Sequence, residues 1–156
     1  QEDKNFRVKR TALQELAQRG SKKAATFASE IVDRVDNAGT DRALAARILV
    51  DIQGADAADD LISLGVKGIT PVVFGRQIAD MLAELKNEKV DKKLMKLLGK
   101  GRTTQKAFAI RATKYIGDEK FVKKMRKGLG AKEPEIVVAT ALALADRGDK
   151  ESIEAM

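Results

Sequence analysis

The chain has 156 residues, 44% hydrophobic and 34% charged, with one Tyr, two Pro and no Cys, His or Trp. That length is enough to bury a real core, and the missing residue types exclude disulfides, zinc thiolate sites, thiol nucleophiles and the usual histidine base. The net charge of +7 is unevenly placed, since residues 86–132 hold 16 Lys or Arg against Glu88, Asp91, Asp118 and Glu119.

The balance of Ala, Leu, Lys, Asp and Glu favours helix over a sandwich or a disordered chain. No apolar run approaches the ~20 residues that a membrane span needs. The chain begins at Gln1, which fits a trimmed chain or a processed form with its signal peptide removed. The compartment stays open.

The first predicted helix opens near Asn5 as N-cap and runs to Arg19 on Val8, Ala12, Leu13, Leu16 and Ala17. Gly20 suits a left-handed turn and Ser21 caps a second helix that continues to about Asp36 on Ala24, Phe27, Ala28, Ile31, Val32 and Val35. A third, capped by Thr40, is apolar almost all round from Ala43 to Ile52. The next, about Asp56 to Leu64, ends at Gly65 and Gly68. Asp56, Asp59 and Asp60 favour its N-terminus and, with Asp51, lack the spacing of a calcium loop.

Thr70-Pro71 caps a fifth helix running to about Leu85, and a basic helix follows to Gly99. Thr103 or Thr104 caps the next, with Phe108, Ala109, Ala112, Tyr115 and Ile116 as its apolar residues. Gly117-Asp118 turns into a second basic helix that Gly130 ends. Glu133-Pro134 opens a further helix that runs on Val137, Val138, Ala141, Leu142 and Leu144 to Arg147, and a last one starts at Asp149. Met81, Met95 and Met125 read as core filling.

The elements repeat. Ala12, Ala46, Ala79, Ala109 and Thr140 are separated by 34, 33, 30 and 31 residues, and Gly20, Gly54, Gly117 and Gly148 close the helices that follow four of them. This gives five units, near 5–38, 39–69, 70–101, 102–131 and 132–156, in a single domain. The last lacks a packing helix, so the chain is expected to continue beyond Met156.

The sharpest pattern lies in the basic helices. Lys89, Lys92, Lys93 and Lys96 recur 31 residues later as Lys120, Lys123, Lys124 and Lys127. Spacing of i, i+3, i+4, i+7 puts each quartet on one face, opposite Val90 and Leu94 or Phe121 and Met125. Equal periods predict neighbouring helices with adjacent lysine rows, on a grid of ~5–6 Å along a helix and ~8–10 Å between axes. Arg102, Lys106, Arg111, Lys114, Arg126 and Lys132 extend this field. It suits a polyanion, whether nucleic acid, anionic polysaccharide or acidic membrane surface. The bland alternative is a solvated face, and the shortage of exposed aromatics disfavours base stacking. Gly99 to Lys106 lacks the order of a phosphate loop. No catalytic, cofactor-binding or metal site is expected.

The series Arg7-Val8, Ala12-Leu13, Leu16, Gly20, Ala24 and Phe27 resembles the HEAT-like repeats of α-solenoid proteins. The resemblance covers nearly the whole chain, although Asn87 replaces a hairpin glycine and the loop proline is mostly absent. It implies an all-α, right-handed solenoid of about five helical hairpins, nine to ten helices, with the second helices and their lysines on the concave face. Some glycosylases of this fold act through an Asp in the groove, but no position here matches a motif for it. The function implied is a non-catalytic scaffold that binds a protein or peptide in an extended groove.

Overall fold

A computed structural model describes residues 4–34, 39–66, 72–116 and 118–154. Among these the regular structure is all helix: α1 (Lys4–Gln18), α2 (Lys22–Asp33), α3 (Gly39–Gln53), α4 (Ala58–Val66), α5 (Val72–Glu84), α6 (Glu88–Lys100), α7 (Thr103–Ala112), α8 (Glu119–Arg126), α9 (Pro134–Asp146) and α10 (Lys150–Glu154). Single 3-10 turns at Gly54–Ala57 and Lys127–Gly130 precede α4 and follow α8. The chain forms two compact units, residues 1–64 and 65–156.

In the first unit α1, α2 and α3 pack on one another, and the 3-10 turn packs on α3. Ala24, Ala28, Ala45, Ala46 and Leu49 are buried, so small side chains let α2 and α3 approach closely. The sequence reading missed Arg42, only 2% exposed within this unit. Its Nε donates to the Val32 carbonyl at 2.9 Å and ties α3 to the end of α2. Burial lowers its pKa and the nearby Asp33 carboxylate works the other way. Leu13 is buried as expected, whereas Ala12, Val8, Leu16 and Phe27 of the expected stripes are exposed. The apolar stripe of α1 is wider than the surface α2 and α3 offer it.

In the second unit α7 packs between α5 and α9, α6 packs on α7, and α8 with its 3-10 turn packs on α9. Phe74, Ile78, Leu82, Leu94, Phe108 and Leu144 are buried here. Ile110, Phe121, Met125 and Ile136 form a cluster with Ala143 and Leu144, against which Leu98 and Val122 pack. Met81 and Met125 fill core, but Met95 is exposed, and Tyr115 is half-exposed where a core position was expected.

Two helical hairpins turn identically. Gly20 N–H donates to the Ala17 carbonyl and Ser21 N–H to that of Leu16; Gly148 and Asp149 repeat this onto Ala145 and Leu144. Both glycines are left-handed, with φ of 63° and 68°. Between α5 and α6 the left-handed residue is Lys86, at φ 46°. Asn87 is therefore the N-cap that follows it, and the hairpin glycine is replaced by Lys86.

Several boundaries depart from expectation for local reasons. Asn5 and Thr40 lie inside α1 and α3 rather than capping them. Ser21 occupies the N-cap of α2 without a side-chain cap hydrogen bond. Arg102, not a threonine, caps α7, and its N–H donates to Gln105 Oε1 at 2.9 Å. Gly65 does not end α4, which continues to Val66. A Cβ at Gly65 would meet the Phe108 ring at 2.2 Å, so the glycine serves packing there. Val35, Asp36, Thr70-Pro71, Gly68 and Gly117 lie outside the described residues.

Candidate functional site

Seven of the eight lysines lie in α6 and α8 as their spacing predicts, while Lys127, expected to complete the second quartet, begins the 3-10 turn after α8. Asn87 Oδ1 accepts from the N–H groups of Lys89 and Val90, and Asp118 Oδ1 accepts from Lys120 N–H. These caps, 31 residues apart, start both basic helices in the same phase. Val90 and Leu94 are then buried in α6, as are Phe121 and Met125 in α8. Lys89, Lys92, Lys93, Lys96, Lys120, Lys123, Lys124 and Lys127 are all exposed.

The repeat extends to the counter-charges. Glu88 pairs with Lys92 at 2.6 Å and Glu119 with Lys123 at 3.3 Å, one i,i+4 pair in each helix. The Lys92 ammonium, by hydrogen bond and charge, lowers the Glu88 pKa. Lys89, Lys96, Lys120, Lys124 and Lys127 make no ion pair among the described residues. The main packing partners of the two basic helices are α7 and α9. Leu98 at the end of α6 packs on the cluster that holds Phe121 and Met125 of α8.

Three other cations are withdrawn from the basic field. Lys114 is 6% exposed, and its Nζ donates to Asp80 Oδ1 of α5 and Asp146 Oδ2 of α9, each at 2.8 Å. Burial opposes its charge, but the hydrogen bonds to Asp146 and Asp80 outweigh it and raise the pKa. Arg111 donates to Asp80 Oδ2 at 3.2 Å. Arg126 holds Asp149 through two bonds of 2.8 and 2.7 Å and also pairs with Glu151. Arg147 donates to the carbonyls of Lys114 and Ile116. Arg111, Lys114 and Arg126 thus join helices instead of extending the lysine face.

A second surface lies along α5, α7 and α9. It is a groove of about 450 Å³ lined within the second unit by Gly65, Val66 and those three helices. Ala107 and Phe108 of the central helix line it, with Gly75 and Ala79 from α5 and Val138, Ala139 and Leu142 from α9. Small residues on three neighbouring helices leave the trough, because no long side chain fills it. Val138 and Leu142 are 51% and 39% exposed, so part of the expected α9 stripe faces outward. Arg76, Thr104, Arg111 and Glu135 supply the polar positions. A mostly apolar concavity with a few convergent polar groups is the usual form of a binding site.

The chain matched no protein-family model, no curated protein and no solved structure. The site therefore rests on its own residues. Sequence reading found the lysine faces and missed the groove. Val138 and Leu142 looked like ordinary core positions, and only the packing of α9 reveals that they are uncovered. The one available signal was the small-residue set Gly75, Ala79, Ala107 and Ala139 on helices one repeat apart.

Proposed function

We propose that each unit is a run of HEAT-like hairpins and that the chain is a non-catalytic α-solenoid scaffold. Its groove along α5, α7 and α9 binds another protein. The row α5–α7–α9, with α6 packed on α7 and α8 on α9, supports the repeat reading. The observation that carries the function is the apolar groove, which leaves Val138 and Leu142 exposed on a wall otherwise suited to a core. This moves the docking surface to the first helices of the hairpins, away from the lysines.

A photo-crosslinking residue at Val138, compared with one at exposed Thr26, tests this in an extract of the source cells. A discrete protein adduct from position 138 alone is expected. Identical patterns from both positions would remove the scaffold reading.

A second reading gives the lysine faces an anionic partner of their own. It is favoured by the exposure of all eight lysines and by the lack, among the described residues, of an ion pair at Lys89, Lys96, Lys120, Lys124 and Lys127. Binding by such a face is sequence-independent and salt-sensitive.

A further inference from the structure

We propose that the groove along α5, α7 and α9 takes an amphipathic helical segment of a partner protein, with a carboxylate beside its apolar anchors to meet Arg76. This rests on the groove being the docking surface and adds the chemistry of its occupant. Because α7 lies between α5 and α9, Arg76 and Glu135 stand on opposite walls. Both are exposed, and neither makes an ion pair among the described residues. The other cations nearby have carboxylate partners within the unit: Arg111 and Lys114 pair with Asp80, and Lys114 also with Asp146. Two charges of opposite sign, without an ion pair among the described residues, therefore flank an apolar trough whose other charged residue, Arg111, is paired with Asp80.

Shape restricts the occupant further. The trough has room for the anchors of one helix face rather than a whole helix, and Val138 and Leu142 are one helical turn apart along its α9 wall. A partner helix with apolar residues at i, i+4 and i+7 meets such a wall, which is the helix-in-groove mode. An acidic residue on one flank of that helix faces Arg76, and a basic one on the other faces Glu135. The opposed charges fix its orientation, since the reversed helix would place like charges together.

The test uses the whole chain and a phage-displayed library of helical peptides with leucine at i, i+4 and i+7 and randomised flanks. Selected binders are labelled and titrated by fluorescence anisotropy. Enrichment of Asp or Glu on one flank is expected, with affinity about tenfold or more lower for Arg76→Glu. Replacing that peptide acid by Lys should restore binding to Arg76→Glu. Val138→Asp should abolish binding, while a Lys93, Lys96, Lys124, Lys127→Glu variant should bind as the native chain does.

Binders lost with Val138→Asp but indifferent to Arg76→Glu would overturn the carboxylate preference and leave the groove standing. An empty selection, or binders insensitive to both changes, would overturn the groove as well. Binders lost only in the lysine variant would place acidic peptides on α6 and α8, and the proposal would fail.

Discussion

Lys86 sits at φ 46° in a turn where the corresponding residues of two other hairpins are glycine. A left-handed conformation costs a residue with a Cβ about 1–2 kcal/mol, part of which glycine returns through a freer unfolded chain. Lys86→Gly should therefore stabilise the protein by up to about 1 kcal/mol in urea unfolding; a loss would mean the lysine side chain supports the turn. Lys114 presents the opposite case. Lys114→Met keeps the bulk but leaves Asp146 and part of Asp80 unpaired, and should cost about 2 kcal/mol. The figure is kept below that for a fully buried pair because both carboxylates reach solvent. Asp149 supplies a pH signature. Hydrogen bonds from Arg126, against the effect of burial, hold its pKa at about 2 rather than 3.8. A lowered folded pKa favours the ionised carboxylate, so its stabilisation is full above about pH 5 and fades as pH falls toward about 2. Asp149→Asn should flatten the acid limb of stability in that window. An unchanged limb would show that the pair with Arg126 does not couple to folding.

Among elements, α6 and α8 were the most legible because period, cap and charge agree. Asn87 and Asp118 set the first turn, and Lys89, Lys92 and Lys93 in α6 match Lys120, Lys123 and Lys124 in α8 at 31 residues, while Lys127 falls in the 3-10 turn that follows α8. The boundary of α4 was not legible. A glycine near a helix end reads as a terminator, but Gly65 lies against the Phe108 ring, which comes from α7, far along the chain. Gly65→Ala should destabilise the protein by about 1–3 kcal/mol despite alanine's better helix propensity. The restoring partner Phe108→Leu, in the double variant, should recover part of the loss. If Gly65→Ala stabilised instead, the close approach of Gly65 and the Phe108 ring would be wrong. The extents of α1 and α9 were read correctly as helices but too generously as core, since Val8, Leu16, Val138 and Leu142 are exposed. A stripe shows which face is apolar; whether a neighbour covers it depends on the other helices.

Charge is the property that belongs to the whole molecule. The excess of basic residues between positions 86 and 132 includes exposed lysines and, apart from them, cations held by Asp80, Asp146, Asp149 and Glu151. On the reading that gives the lysine face an anionic partner, only the exposed set meets it. Anisotropy with heparin, duplex DNA and single-stranded RNA should show affinity falling steeply, by about a hundredfold or more, between ~50 and ~200 mM salt. A Lys93, Lys96, Lys124, Lys127→Glu variant should lose it. Absence of native binding at the lower salt would leave the lysines as a solvated face.

The sequence alone determined the helical class, the order of the elements, the register of the basic helices and the lack of thiol and imidazole chemistry. These depend on residue type and short-range spacing, which are local. Tertiary structure decided which apolar faces stay uncovered, which cations are spent on carboxylates, and why Gly65 is a glycine. Each of these depends on residues roughly one repeat or more apart meeting in space. Periodicity can align such residues, but only packing brings them within hydrogen-bond or van der Waals reach.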